Sequence, residues 1–106
     1  MKSSSLTEHE LHLMHGIFQQ YPDITRVILF GSRAKGSAKP YSDIDIAIEG
    51  VEKERDVAEV AMMLDNLPLP YIFDVKSLAS LQYLPLREHI DRVGITIYKK
   101  EFNTEC

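Results

Sequence analysis

The sequence predicts a small α/β domain: a mixed β-sheet of about four strands flanked by helices. Three observations lead there. Apolar stretches of strand length alternate with amphipathic stretches of helix length, residues 43–49 (DIDIAIE) alternate strictly, and clusters of Gly, Pro and small polar residues separate the stretches. The 106 residues are expected to form one domain, 1–106, with room for a single core. A hydrophobic fraction of 44% is enough to build that core, which sets the chain apart from disordered sequences.

Taken in order, Ser5–Glu8 and Thr7–Glu10 both fit the capping-box pattern, so a helix is expected to start near Leu6. Leu11, Met14 and Phe18, with Leu13 and Ile17 beside them, give it an apolar face as far as Gln20. Tyr21-Pro22-Asp23 ends it. Residues 25–30 (TRVILF) are β-branched and apolar, as a buried strand requires. Gly31 to Tyr41 reads as a loop, and residues 43–49 form the next strand. Glu52 to Asn66 is a helix with Val57, Val60, Ala61 and Leu64 on one side, stopped by Leu67-Pro68-Leu69-Pro70. A third strand is expected at 71–75 (YIFDV). Leu78 to Val93 follows as a helix in two pieces divided at Pro85, with Gly94 suited to the position past its end. The last strand is 95–98 (ITIY), and the tail EFNTEC is expected to fray.

Composition excludes several classes of function. A net charge of −4 is the wrong sign for a protein that coats nucleic acid nonspecifically, since that needs a surplus of Lys and Arg. No apolar run approaches the ~20 residues of a membrane span. MKSSSLTEHE lacks a secretory h-region, and the single Cys106 has no partner within the chain, so a cytoplasmic protein is expected. His9-Glu10-Leu11-His12 misses the zinc-protease pattern because position 13 is Leu13. His9, His12 and His15 are also spread over about 9 Å of helix, too far for one ion.

The chemistry concentrates on residues 43–49. Alternation sends Ile44, Ile46 and Ile48 to one face and Asp43, Asp45 and Ala47 to the other. Carboxylates two residues apart along a strand stand about 6.5–7 Å apart, from where they can converge on hard cations. A bare D-x-D also suits a solvated acidic face. Two further features point to a site. Gly31-Ser32 follows the strand TRVILF directly, where backbone amides and a hydroxyl could meet an anion, and Arg33 and Lys35 add charge beside it. Asp74 lies in an otherwise apolar strand, where a carboxylate needs a cation or donors; a salt bridge would also serve.

Gly31-Ser32, ten intervening residues and then Asp43-Ile44-Asp45 resembles the signature of the DNA polymerase β nucleotidyltransferase superfamily. The stretch LFGSRAKGSAKPYSDIDIAI is similar to the minimal nucleotidyltransferases, or MNT proteins, and the likeness runs over nearly the whole chain. The resemblance implies a polymerase β-like fold, two Mg²⁺ ions held by Asp43 and Asp45, and Asp74 completing the shell of the catalytic ion. It also implies triphosphate binding by Gly31 and Ser32, with Arg33 facing the triphosphate, and ATP as substrate. In this family the small members resemble antitoxins that attach AMP to a tyrosine of a HEPN-domain ribonuclease toxin. A HEPN toxin is therefore the expected partner, in a hetero-oligomer, with the acceptor arriving as a separate protein. Two alternatives stay open at this point: a binding antitoxin or scaffold that acts by occupancy, and the catalytic subunit of a small-molecule nucleotidyltransferase.

Overall fold

The computed structural model of the chain describes residues 6–31 and 43–100. Ser5, most of the expected loop and the tail EFNTEC lie outside them. In chain order the elements are α1 (Glu8–Phe18), β1 (Arg26–Phe30), β2 (Ile44–Glu49), α2 (Glu54–Asp65), β3 (Phe73–Ser77), a 3₁₀ turn (Leu78–Ser80), α3 (Leu84–Val93) and β4 (Ile95–Lys99). The strands form one mixed sheet in the order β3-β2-β1-β4. β1 runs antiparallel to both β2 and β4, while β2 and β3 are parallel and joined by the α2 crossover. The expected mixed sheet of four strands is present.

Of the two candidate capping boxes, Thr7–Glu10 sets the start of α1. The Thr7 hydroxyl accepts from the Glu10 amide at 3.1 Å, and the Thr7 amide donates to the Glu10 carboxylate at 3.0 Å. The helix therefore begins at Glu8 rather than near Leu6. Leu6 and Leu11 hold the two positions of a hydrophobic staple, and both enter the core.

The main core lies between the sheet and the α1–α2 layer. Met14, Ile17 and Phe18 meet Val27, Leu29, Ile44, Ile46 and Ile48 there, with Val60 and Leu64 from α2. The isoleucine face predicted for β2 is thus fully buried. The opposite face is less open than its sequence implied. α3 and the 3₁₀ turn pack against part of it, burying Ala47 with Ile28, Phe30 and Ile90. Ala47 is too small to have signalled that contact.

Three expectations need correction. β3 starts at Phe73, not Tyr71, and extends to Ser77. Tyr71 does not join the ladder: its hydroxyl donates to the Glu10 carboxylate at 2.8 Å, tying the approach to β3 onto α1. Pro85 does not divide a helix. It sits in the first turn of α3, where its missing N–H costs nothing, and the break lies earlier, between the 3₁₀ turn and Leu84. Gly94 has an ordinary backbone, with φ of −63°, so it is no left-handed cap. A glycine is needed there because α3 closes on β1, and a Cβ would strike Ile28 and the Ile90 carbonyl.

Gly50 does require a left-handed backbone. Its φ is +107°, and an added Cβ would overlap the Asp23 carbonyl oxygen. Gly50→Ala is expected to lower stability by about 2 kcal/mol or more, read from chemical denaturation. The fold, not the chemistry, should register that change. Among the described residues no helix is long and apolar enough to cross a membrane.

Candidate active site

The parallel pairing of β2 with β3 puts Asp45 directly opposite Asp74. Neighbouring strands lie about 4.8 Å apart, so two carboxylates confront each other across a single rung. Both point away from the isoleucine core, on the part of the sheet that α3 leaves uncovered. Asp43, exposed, immediately precedes β2 on the same side.

The electrostatics follow from this crowding. Burial pushes the Asp45 carboxyl above the ordinary Asp value, the charge of Asp74 adds to the shift, and that of Asp43 adds again. Lys76 opposes the shift. Its ammonium lies 3.4 Å from Asp74 Oδ1. The salt bridge that would suit Asp74 therefore exists, yet among the described residues one ammonium faces three carboxylates, and Asp45 stays raised.

Gly31 closes the other side. Phe30 pairs with Asp45 across β1 and β2, so the residue after Phe30 turns beside the Asp45 carboxylate. Gly31 has φ of +80°, and a Cβ there would overlap Asp45 Oδ2. The glycine is demanded twice, by its backbone and by the carboxylate. Ser32 and Arg33 lie outside the described residues, as do Lys35 and Lys39.

Among the described residues no three His, Cys or acidic side chains converge closely enough to hold an ion as they stand. Asp45 and Asp74 meet; Asp43 adds its charge without completing such a group. The donor set nonetheless suits a hard divalent cation: it is all carboxylate oxygen, its members repel one another, and a lysine ammonium already stands where a cation is wanted.

Lys76 is the site residue that sequence reasoning missed. Ending the third strand at Val75 cut off the alternation that puts positions 74 and 76 on one face; extending it two residues would have found the pair. A cleft of about 510 Å³ lies along β4 between His15, Gln19 and Lys100. That is the far edge of the sheet from β3, and no acid lines it. His15 is held within it at 2.6 Å from the Ile97 carbonyl, with its ring against Phe18 and Tyr98, so its role is structural.

The family model for polymerase β nucleotidyltransferases matches residues 14–103. The chain belongs to this family. It is 37% identical over 105 residues to a probable protein adenylyltransferase MntA of Haemophilus influenzae, covering 94% of this chain and 89% of that protein. Among solved structures, a chain of a toxin–antitoxin complex with AMP-PNP superposes with a TM-score of 0.72 at 22% identity, covering 86% of this chain and 74% of its own. A chain from the complex of tri-AMPylated Shewanella oneidensis HEPN toxin with MNT antitoxin gives 0.68 at 19% identity, covering 90% and 74%. At such identities these structures establish the nucleotidyltransferase fold, which the mixed sheet and its flanking helices share.

Proposed function

We propose that residues 1–106 act as one Mg²⁺-dependent nucleotidyltransferase domain that moves AMP from ATP to a tyrosine of a HEPN-domain toxin, as that toxin's antitoxin. The observation that carries this reading is the 37% identity, across nearly the full chain, to a probable protein adenylyltransferase. The facing Asp45 and Asp74 supply the matching chemistry. The proposed setting is the cytoplasm, in a hetero-oligomer with the toxin.

Each residue has a distinct task in this reading. Asp43 and Asp45 would hold the Mg²⁺ ions, with Asp74 as a further carboxylate ligand. Bound Mg²⁺ supplies charge neutralisation at the triphosphate and at the attacking oxygen. Gly31 and Ser32 present donors to the β- and γ-phosphates, and Arg33 adds a positive charge. The acceptor phenol lies beside Asp74, which takes its proton at a carboxylate oxygen. The phenolic oxygen bonds to the α-phosphorus, and the bond from that phosphorus to pyrophosphate breaks. AMP on a tyrosine then adds bulk and negative charge where a ribonuclease must accept RNA phosphate.

The test is co-expression with a HEPN-domain toxin partner, followed by mass spectrometry of that partner. An AMP adduct on tyrosine is expected with the wild type, and about 100-fold less with Asp74→Asn, the effect of losing a general base. If Asp74→Asn neutralises the partner as well as the wild type does, with no adduct in either sample, the chain acts by occupancy and the enzymatic reading is wrong.

A further inference from the structure

We propose that Lys76 is a built-in counterion that occupies the Asp45–Asp74 pair until metal and nucleotide arrive together, so that the site takes up metal with nucleotide and resists metal alone. This inference rests on the assignment of Asp45 and Asp74 to the metal site.

The geometry is specific. Lys76 follows Asp74 by two residues on β3, and strand alternation gives both side chains the same face. Its partner across the ladder is Ala47, buried and uncharged, so the ammonium has no acid beside it on its own rung. It reaches along the strand instead, to 3.4 Å from Asp74 Oδ1. The two side chains keep 37% and 47% of their exposure, and a pair that open contributes little to folding stability. Its consequence lies in what it does to the next cation.

A divalent ion bound by Asp45 and Asp74 would compete with the Lys76 ammonium for Asp74 and sit within several ångströms of its charge. That repulsion weakens the binding of metal alone. A triphosphate brings several negative charges to the same place and offsets the lysine, so nucleotide and metal should each tighten the other. The lysine stem is flexible enough to swing toward the incoming phosphates once Asp74 is engaged.

The experiment titrates Mn²⁺ into the purified chain, reading free Mn²⁺ by electron paramagnetic resonance, with and without AMP-PNP. Wild type is compared with Lys76→Met, Lys76→Gln and Lys76→Arg. The two neutral variants are expected to bind Mn²⁺ alone about tenfold more tightly, with AMP-PNP improving Mn²⁺ binding correspondingly less, whereas Lys76→Arg should behave as wild type. Using both Met and Gln covers the case in which one fails to fold. If Mn²⁺ affinity without nucleotide is unchanged or weaker in the folded neutral variants, Lys76 is an ordinary surface partner of Asp74 and the inference is overturned. Asp45→Asn provides the separate control. Should it bind Mn²⁺ with AMP-PNP as tightly as wild type, the metal-site assignment itself falls, and this inference with it.

Discussion

Asp45→Asn is expected to cut nucleotidyl transfer by about 10³-fold or more and, without metal, to melt at a higher temperature than the wild type at neutral pH. The two effects have one origin. Asp45 is held above the ordinary Asp value by burial first, then by Asp74 and Asp43, so the folded chain binds that proton more tightly than the unfolded chain does. Stability therefore falls as pH rises from the unfolded value, about 4, through the raised folded value, and the penalty is complete above that raised value. The amide cannot ionise, so the variant escapes the penalty, and the two melting curves should draw together as pH drops below about 4. Catalysis runs the other way in the proposed mechanism, where the Asp45 carboxylate would hold the cation that offsets charge at the reacting phosphate, and losing one such electrostatic contact alone costs about 10²–10³. Adding Mn²⁺ with AMP-PNP should reverse the order of melting temperatures, since only the wild type gains from binding. Thermal melts across pH, with and without Mn²⁺ and nucleotide, decide the matter. Equal responses to metal in both proteins would remove Asp45 from the site, and a lower metal-free melting point for the variant at pH 7 would make it a structural residue.

The placement of the candidate site's acids was legible in sequence. DIDIAIE commits one face of β2 to the core through three isoleucines, so its aspartates can only face away. The glycine after TRVILF announced a sharp turn. Neither signal, though, says which residues meet. The level of Asp74 relative to Asp45 depends on a parallel register set by the α2 crossover and by Ile44 pairing with Phe73, and no local pattern encodes that. Lys76 was lost because a polar Lys-Ser ending disguises the last two residues of a strand. The covering of Ala47 by α3 was lost because alanine has no strong preference for either side of a sheet. Sequence periodicity reported which way side chains point; it did not report what stands opposite them.

The uncovered and covered halves of this face divide the labour. Under α3, Ile28, Phe30, Ala47 and Ile90 pack β1 and β2 firmly, and the rung that carries Asp45 borders that packed region through Phe30. Beyond it, Asp45, Asp74 and Lys76 keep partial exposure, which leaves them open to a ligand in the proposed function. Strands position the acids, and a buried neighbour limits how far Asp45 can retreat.

Gly31→Ala tests that restraint and is expected to disable the site from outside the set of acids. The left-handed backbone at Gly31 costs an L-residue about 1–2 kcal/mol, so folding stability should fall by at least that much. The added methyl would also occupy the place of Asp45 Oδ2. Asp45 cannot withdraw along its strand, because its Cα is fixed opposite both Phe30 and Asp74. Its carboxylate must rotate instead, leaving the position that faces Asp74. A displacement of about 1 Å at a reacting centre costs on the order of 100-fold, so transfer by the folded variant should drop by at least that factor. A double-mutant cycle separates the two costs. In a background of Asp45→Ala there is no carboxylate to strike, and Gly31→Ala should then cost only its backbone share, giving a clear coupling energy between the positions. Gly50→Ala, also at a positive φ but set against the Asp23 carbonyl at the other end of β2, should lose stability while the folded fraction keeps full activity. If Gly31→Ala retains Mn²⁺ affinity and transfer within about twofold of wild type, with costs that simply add to those of Asp45→Ala, Gly31 is a turn residue and has no part in shaping the acids.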